Sequence, residues 1–301
     1  MLRKIYHTVR SQGLAGALHA ARRVVAPTQA GCLALCRQLV QGRSGIEVGG
    51  PSGVFSPRGV LPLYEDVGSL DNCNFASHTT WEGSIAEGKT FRFSPNKSSG
   101  TQYVAETTNL QRIASGSYDF LLSSHVLEHS ANALLALSEW LRVVKAGGTL
   151  VLLLPHKDGT FDHRRPVTRL EHLVADHAAG MKEDDLTHLP EILQLHDLAR
   201  DPGAGSAEEF ERRSRSNLEN RCLHHHVFDT TLVASLLDHV GLQLLAVEVM
   251  RPNHVIAVAR KPEDGARPDN PAAFAALSDA LRKSPFLSDR HEAAARPARL
   301  G

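Results

Sequence analysis

The chain has 301 residues, 42% hydrophobic and 22% charged, which fits an ordinary globular protein of one large domain with attachments and excludes wholesale disorder. Its 33 basic and 33 acidic residues cancel, removing the electrostatic case for a dedicated nucleic-acid binder. Four scattered cysteines exclude a disulfide framework or a four-thiolate zinc centre and favour a reducing compartment, and no apolar run nears the roughly 20 residues that span a bilayer. The oddity is histidine, present 17 times.

Residues 1–46 contain no Asp or Glu, while Arg3, Lys4, Arg10, Arg22, Arg23, Arg37 and Arg43 are basic. Ile5, Val9, Leu14, Leu18 and Val25 recur at near-helical spacing, interrupted by Gly13 and Gly16. Residues 1–43 therefore read as a basic helical appendage. It packs on the main domain, lies on an anionic membrane surface through residues 1–40, or serves as an Arg-rich transit peptide.

Strand candidates follow at 44–48 (SGIEV), 61–67 and 101–105, then 118–123 (YDFLLS). The spacing of Leu134, Leu137, Leu141 and Val144 predicts a helix over about 131–145, stopped by Gly147-Gly148. The unbroken apolar run 149–154 suits a central parallel strand. A helix over about 230–240 leads to strands at 242–249 and 254–259, which so short a turn makes antiparallel. After Lys261 the chain reads as a flexible tail, 262–301, with one short helix. Alternating strands and helices predict an α/β fold with helices on both faces of the sheet.

In such a sheet ligands bind beyond the carboxyl ends of the strands. The first strand runs into Gly49-Gly50-Pro51-Ser52-Gly53, a turn that lets a ligand approach the backbone, although it is not GxGxxG and Pro51 lacks an amide donor. The fourth ends in Ser123-Ser124-His125-Val126-Leu127-Glu128-His129. The stretch YDFLLSSHVLEH…LSEWLRVVKAGGTLVLLLP resembles the signature of class I S-adenosylmethionine-dependent methyltransferases of the type 11 branch, and IEVGGPS resembles their first motif in a variant form. The resemblance covers about 44–261 and implies a Rossmann-like, doubly wound, seven-stranded and mostly parallel sheet whose last strand is antiparallel.

It further implies S-adenosyl-L-methionine as cofactor. Glu47, Gly49, Gly50 and Ser52 match the motif that contacts its methionine part. Asp71, placed beyond the second strand, is the expected partner of the ribose hydroxyls, preferred over Asp66. Glu106, Thr108 and Leu110 follow the third strand, where the family holds the adenine, and Ser124 and His125 follow the fourth.

A polar, His-rich insert occupies about 156–228, too long for a simple loop, with helices expected at 171–178 and 190–198. His156 and His163 are candidate general bases, oriented by Asp158 or Asp162, and Asp162 joins them in the candidate catalytic set. Arg164 and Arg165 are a candidate clamp for an anionic substrate or surface partners of Glu171 or Asp176. His224 and His226 share a face if their stretch is extended and, with His156, His163 or Asp162, offer an alternative metal site.

The expected function is methyl transfer to oxygen or nitrogen of a small-molecule or saccharide acceptor by a cytoplasmic enzyme, without a nucleic-acid partner. A non-catalytic cofactor-binding scaffold and a metal-dependent enzyme built on His224–His226 are the alternatives. Acceptor identity and oligomeric state stay open.

Overall fold

The computed structural model describes residues 28–263, 266 and 268–295. Of the basic appendage, residues 1–27 lie outside the described residues.

The strands are β1 (Ser44–Val48), β2 (Ser69–Asn74), β3 (His78–Thr79), β4 (Gly83–Ser84), β5 (Gly88–Phe91), β6 (Gly100–Val104), β7 (Tyr118–Ser124), β8 (Val144–Pro155), β9 (Gln243–Met250) and β10 (His254–Arg260). Eight of them form one sheet in the order β5-β6-β2-β1-β7-β8-β10-β9, and β3 pairs only with β4. Neighbours from β6 to β8 are parallel, while β10 runs antiparallel to both β8 and β9. Six of the seven expected strands are present, a strand at Ser69–Asn74 takes the place of the one expected at 61–67, and β5 adds an eighth, antiparallel to β6.

Pleat alternation sends side chains to two cores. On β8, Leu150, Leu152 and Leu154 face one side and Val151 and Leu153 the other. The first core takes helix α2 (Ala133–Val143) through Leu134, Leu137 and the fully buried Trp140. Asn132 caps it by accepting the Leu135 amide proton at 2.9 Å. The second core takes helix α1 (Leu33–Val40) through Leu33, Cys36, Leu39 and Val40. Burying four such side chains on one face is what holds so short a helix, since its isolated propensity would not.

Three expectations needed correction. Residues 61–67 are not a strand but turns that bury Leu61, Leu63, Tyr64 and Val67. Pro62 cannot donate to a ladder, and the amides of Leu63 and Tyr64 turn instead to the Phe55 carbonyl. The second strand is the polar SLDNCN segment, held by Asn72, whose amide donates to the Gly50 carbonyl and to Gln102 Oε1, both at 2.9 Å. Residues Gly147-Gly148 lie within β8, the helix having ended at Val143.

The third correction is the tail. Helices α8 (Pro271–Arg282) and α9 (Leu287–Ala295), numbered after the insert helices and α7 (Thr230–His239), pack on the domain. With the turn between them they bury Leu277, Leu281, Phe286 and Asp289. The Ala-rich first of these helices is the short one expected, and the polar LSDRHEAAA stretch of the second is why the rest reads as a tail. The insert carries α3 (Leu170–Ala178), whose Leu173 joins the first core, and α4 (Leu189–Leu195), α5 (Ala207–Arg215) and α6 (Asn217–Asn220) near a small core of Leu189, Ile192, Ala204, Phe210 and Leu223.

Candidate active site

A cavity of about 370 Å³ opens at the carboxyl ends of β1, β2, β6 and β7, within the size range of small-ligand sites. Its floor is the turn after β1, with Gly49, Pro51, Ser52 and Gly53 at the wall. Gly49 has φ +83°, and a Cβ there would collide with the Val126 side chain. Glu47 is fully buried beneath the turn, where its carboxylate accepts from the Ser52 amide at 3.0 Å and the Tyr64 hydroxyl at 2.8 Å. Burial pushes its pKa up to about 7 against those two hydrogen bonds. Glu47 therefore shapes the turn and is not among the cavity's lining residues.

The β2 wall is Cys73, Asn74 and Phe75. Asn74 donates to the Gly50 carbonyl at 2.9 Å, and its buried Oδ1 has no hydrogen-bond partner among the described residues. Ala105, Glu106 and Thr107 supply the β6 wall. Trp81 and Glu82 come over the mouth from the β3–β4 hairpin, and Glu183 and Arg221 reach in from the insert. The Arg221 guanidinium lies over the Phe75 ring and pairs with Glu106, joining insert to sheet across the opening.

The β7 side is dense in ionisable groups. Ser124, His125, Val126 and His129 line the cavity. His125 has φ +56° and lies 3.0 Å from the His254 ring. Burial pushes its pKa down to about 3, so it is neutral. Glu128 is fully buried and has no hydrogen-bond partner on either oxygen among the described residues, and burial pushes its pKa up to about 7. Its Oε1 lies 3.6 Å from His125 Nδ1 and 3.8 Å from His129 Nε2.

His129 Nδ1 is 2.9 Å from the Leu223 carbonyl oxygen. A carbonyl only accepts, so Nδ1 carries the proton and Nε2 keeps its lone pair. Burial, with the nearby His224 charge, holds the His129 pKa well below the usual imidazole range. His224 behaves oppositely: burial opposes its charge, but Asp162, 2.5 Å from its Nδ1, outweighs burial and raises its pKa.

Residues 79–152 match the family model described as the methyltransferase domain. The match spans the hairpin over the cavity, the SSHVLEH turn, α2 and most of β8, and the sheet around it is mostly parallel with the expected antiparallel last strand. The matched stretch carries a methyltransferase domain. No curated protein matches the methyltransferase. Among solved structures it is similar to an S-adenosylmethionine-dependent methyltransferase from Mesorhizobium loti, at 16% identity and TM-score 0.44, covering 76% of this chain and 95% of that one. One from Methanosarcina mazei has 16% identity and TM-score 0.42, covering 76% and 98%. One from Aquifex aeolicus has 13% identity and TM-score 0.36, covering 76% and 87%.

The cavity of the methyltransferase fits its cofactor, S-adenosylmethionine: a Gly-floored turn, an acceptor atom at the end of β2 awaiting a donor, and room within the methyltransferase sheet edge. Gly49, Ser52, Glu106, Ser124 and His125 line this cavity, whereas Gly50, Thr108 and Leu110 are not part of its lining. Gly50 instead anchors the turn to Asn72, and Leu110 is buried in the core under α2. Asp71 is a correction. It sits inside β2, where its carboxylate accepts from the Thr101 amide at 2.6 Å and the Tyr118 hydroxyl at 2.8 Å. Because β2 begins at Ser69, eight residues later than the strand candidate at 61–67, the residue at its carboxyl end is Asn74.

The catalytic candidates need correction as well. His156 is fully buried, stacked on Phe286 and 3.1 Å from Asp289, with no access to the methyltransferase cavity. His163 is half-buried and hydrogen-bonded to Asp197, 2.9 Å away. Asp162 is buried and not part of the cavity's lining, being bound to Arg165 and His224. Arg165 is no substrate clamp, since it is buried between Asp162 and Glu191 and donates to the His224 and His225 carbonyls. Arg164 pairs with Asp197. His224 and His226 part company, His224 joining Glu128 and His129 and His226 joining His172, Asp176 and His188. The missed lining residues, His129 above all, had a signal: they follow strand ends. Arg221 had none, because only the folded insert brings it there.

Proposed function

We propose that this methyltransferase methylates an oxygen or nitrogen of a small-molecule or saccharide acceptor that enters beside His129. The sulfonium of the bound cofactor supplies an already activated methyl group. What the chain must add is placement of the acceptor atom in line and, for a hydroxyl, somewhere for its proton to go. His129 carries the reading: its Nε2 lone pair is free, its tautomer is fixed by Leu223, and it lines the cavity. It accepts the acceptor's proton there. Glu128, whose Oε1 lies 3.8 Å from that nitrogen, answers the imidazolium charge that forms, and Asp162 offsets the neighbouring His224 charge that opposes it. On the cofactor side, the turn at Gly49 and Ser52 holds the methionine part, Asn74 Oδ1 accepts from the ribose, and Glu106 and Thr107 border the adenine.

Trp81, 45% exposed at the mouth, offers a face to a ring, and Glu82, Glu183 and Arg221 offer hydrogen bonds to hydroxyls, which favours a polar, saccharide-like acceptor. Calorimetry with S-adenosylmethionine and S-adenosylhomocysteine, followed by a methyl-transfer screen over hydroxylated and amino acceptors, tests the reading. Turnover that persists undiminished in His129→Ala removes His129 from the mechanism. Turnover only on acceptors lacking OH and NH sinks the acceptor class.

A further inference from the structure

We propose that the insert holds a divalent metal ion of the zinc type, bound by His172, Asp176, His188 and His226. Nothing in the methyl-transfer reading uses these residues. His172 and Asp176 are four residues apart on α3 and so share one face of it. His188 immediately precedes α4, and His226 closes the segment that leads to α7. Three separate stretches of chain thus converge on one point.

The spacing is that of a ligand set. His172 Nε2 lies 2.8 Å from His188 Nε2 and 3.3 Å from Asp176 Oδ2, and His226 Nε2 lies 3.8 Å from Asp176 Oδ2. All four donor atoms fall within 4.8 Å of one another. Zinc bonds of about 2.0–2.1 Å in a tetrahedron put donor atoms about 3.3 Å apart, in the middle of these distances.

The second observation is the unmet polar atoms. His226 Nε2 and Asp176 Oδ2 are buried and have no hydrogen-bond partner among the described residues, although both residues are at least nine-tenths buried. Leaving an imidazole nitrogen and a carboxylate oxygen dry and unpaired is costly, and a cation between them removes the cost for both. Behind His188, Asp185 Oδ2 stands 3.5 Å from Nδ1, the side a carboxylate takes when the other nitrogen binds metal.

With all four positions filled by protein the site has no open coordination, so its role is structural. Its beneficiary is the active-site wall. The amides of His225 and His226 both donate to the Glu128 carbonyl, so fixing His226 also fixes the chain that carries His224 and Arg221.

The full chain, purified from zinc-supplemented culture, is expected to retain about one equivalent of zinc by elemental analysis. Cobalt(II) in its place is expected to show the strong visible bands of a four-coordinate ion. Chelation lowers the melting temperature and zinc restores it. His172 is exposed, so His172→Ala should fold and should weaken zinc binding at least about tenfold. His172→Ala/His226→Ala should retain none, with circular dichroism reporting that it is folded. Glu128→Gln is the control for the neighbouring Glu128–His129–His224 group and should keep its zinc. A wild-type protein with neither retained zinc nor a zinc-dependent melting shift overturns the proposal. So does zinc lost from Glu128→Gln but held at full affinity by His172→Ala.

Discussion

Asp289, carried on the last helix of the domain, takes a hydrogen bond from His156 at the carboxyl end of the central strand, 3.1 Å away. The Asp158 amide donates to His156 Nδ1, so Nε2 carries the proton that Asp289 receives. Thr230 and Ser284 hydroxyls supply two more donors at 2.8 and 2.6 Å. Burial opposes the Asp289 charge, but the His156 and Ser284 hydrogen bonds outweigh it and hold the carboxyl below its usual range. The C-terminal helices are thus tied to the far end of β8.

That tie is a stability device. His156→Ala leaves a buried carboxylate short of one donor and removes the ring stacked on Phe286, which should cost about 2–4 kcal/mol in urea unfolding. Cofactor affinity and turnover of the folded variant should stay at wild-type levels. A folded His156→Ala protein that binds cofactor and fails to transfer methyl would return His156 to the catalytic set.

His129→Ala should separate binding from chemistry. Calorimetric affinity for S-adenosylhomocysteine is expected to hold, while kcat on a hydroxyl acceptor falls about 10²- to 10⁴-fold. The loss should be smaller on an amine that is already unprotonated, because no base is then needed. Equal losses on both acceptors would make His129 a packing residue.

Asn74→Ala removes the unpartnered Oδ1 at the end of β2 and one donor to the Gly50 carbonyl. The dissociation constant for S-adenosylmethionine should rise about 5- to 10-fold, the worth of one hydrogen bond of about 1–1.4 kcal/mol. Asp71→Asn is the matched comparison. It should lower stability through Thr101 and Tyr118 and leave affinity unchanged.

Glu47 makes stability depend on pH in a direction unusual for a carboxylate. Its pKa rises from 4.5 to about 7 on folding because burial outweighs the bonds from Ser52 and Tyr64. Between these values the folded state holds a proton that the unfolded chain has released. The contribution is complete below pH 4.5 and is lost as pH climbs through about 7, at about 1.4 kcal/mol per unit. Glu47→Gln cannot lose a proton, so its stability relative to wild type should rise by about 3 kcal/mol across that window. A flat difference between the two denaturation series would show that Glu47 is ionised in the fold.

Much of the fold was written locally. Apolar runs such as TLVLLL, the helical spacing of Leu134 and Leu137, and the short turn at 251–253 each encode their element through side chains that need no distant partner to be read. The SSHVLEH and AGG segments carried the family in the same way. Glycine after a strand marked the cofactor end, because only a side chain of that size leaves room for a ligand against the backbone. Contact over long sequence distance had to be decided by the tertiary structure. The strand SLDNCN is polar and is a strand only because β1 and β6 flank it and Asn72 finds Gly50 and Gln102. That one displacement moved the proposed ribose partner from Asp71 to Asn74. The histidines behave alike in sequence but differ in the fold according to what burial leaves beside them: Asp289 for His156, Asp197 for His163, Leu223 for His129, and an unpaired nitrogen for His226. An imidazole's role follows from its solvent exposure and from the partner of its second nitrogen, and both are set by residues up to 133 positions away.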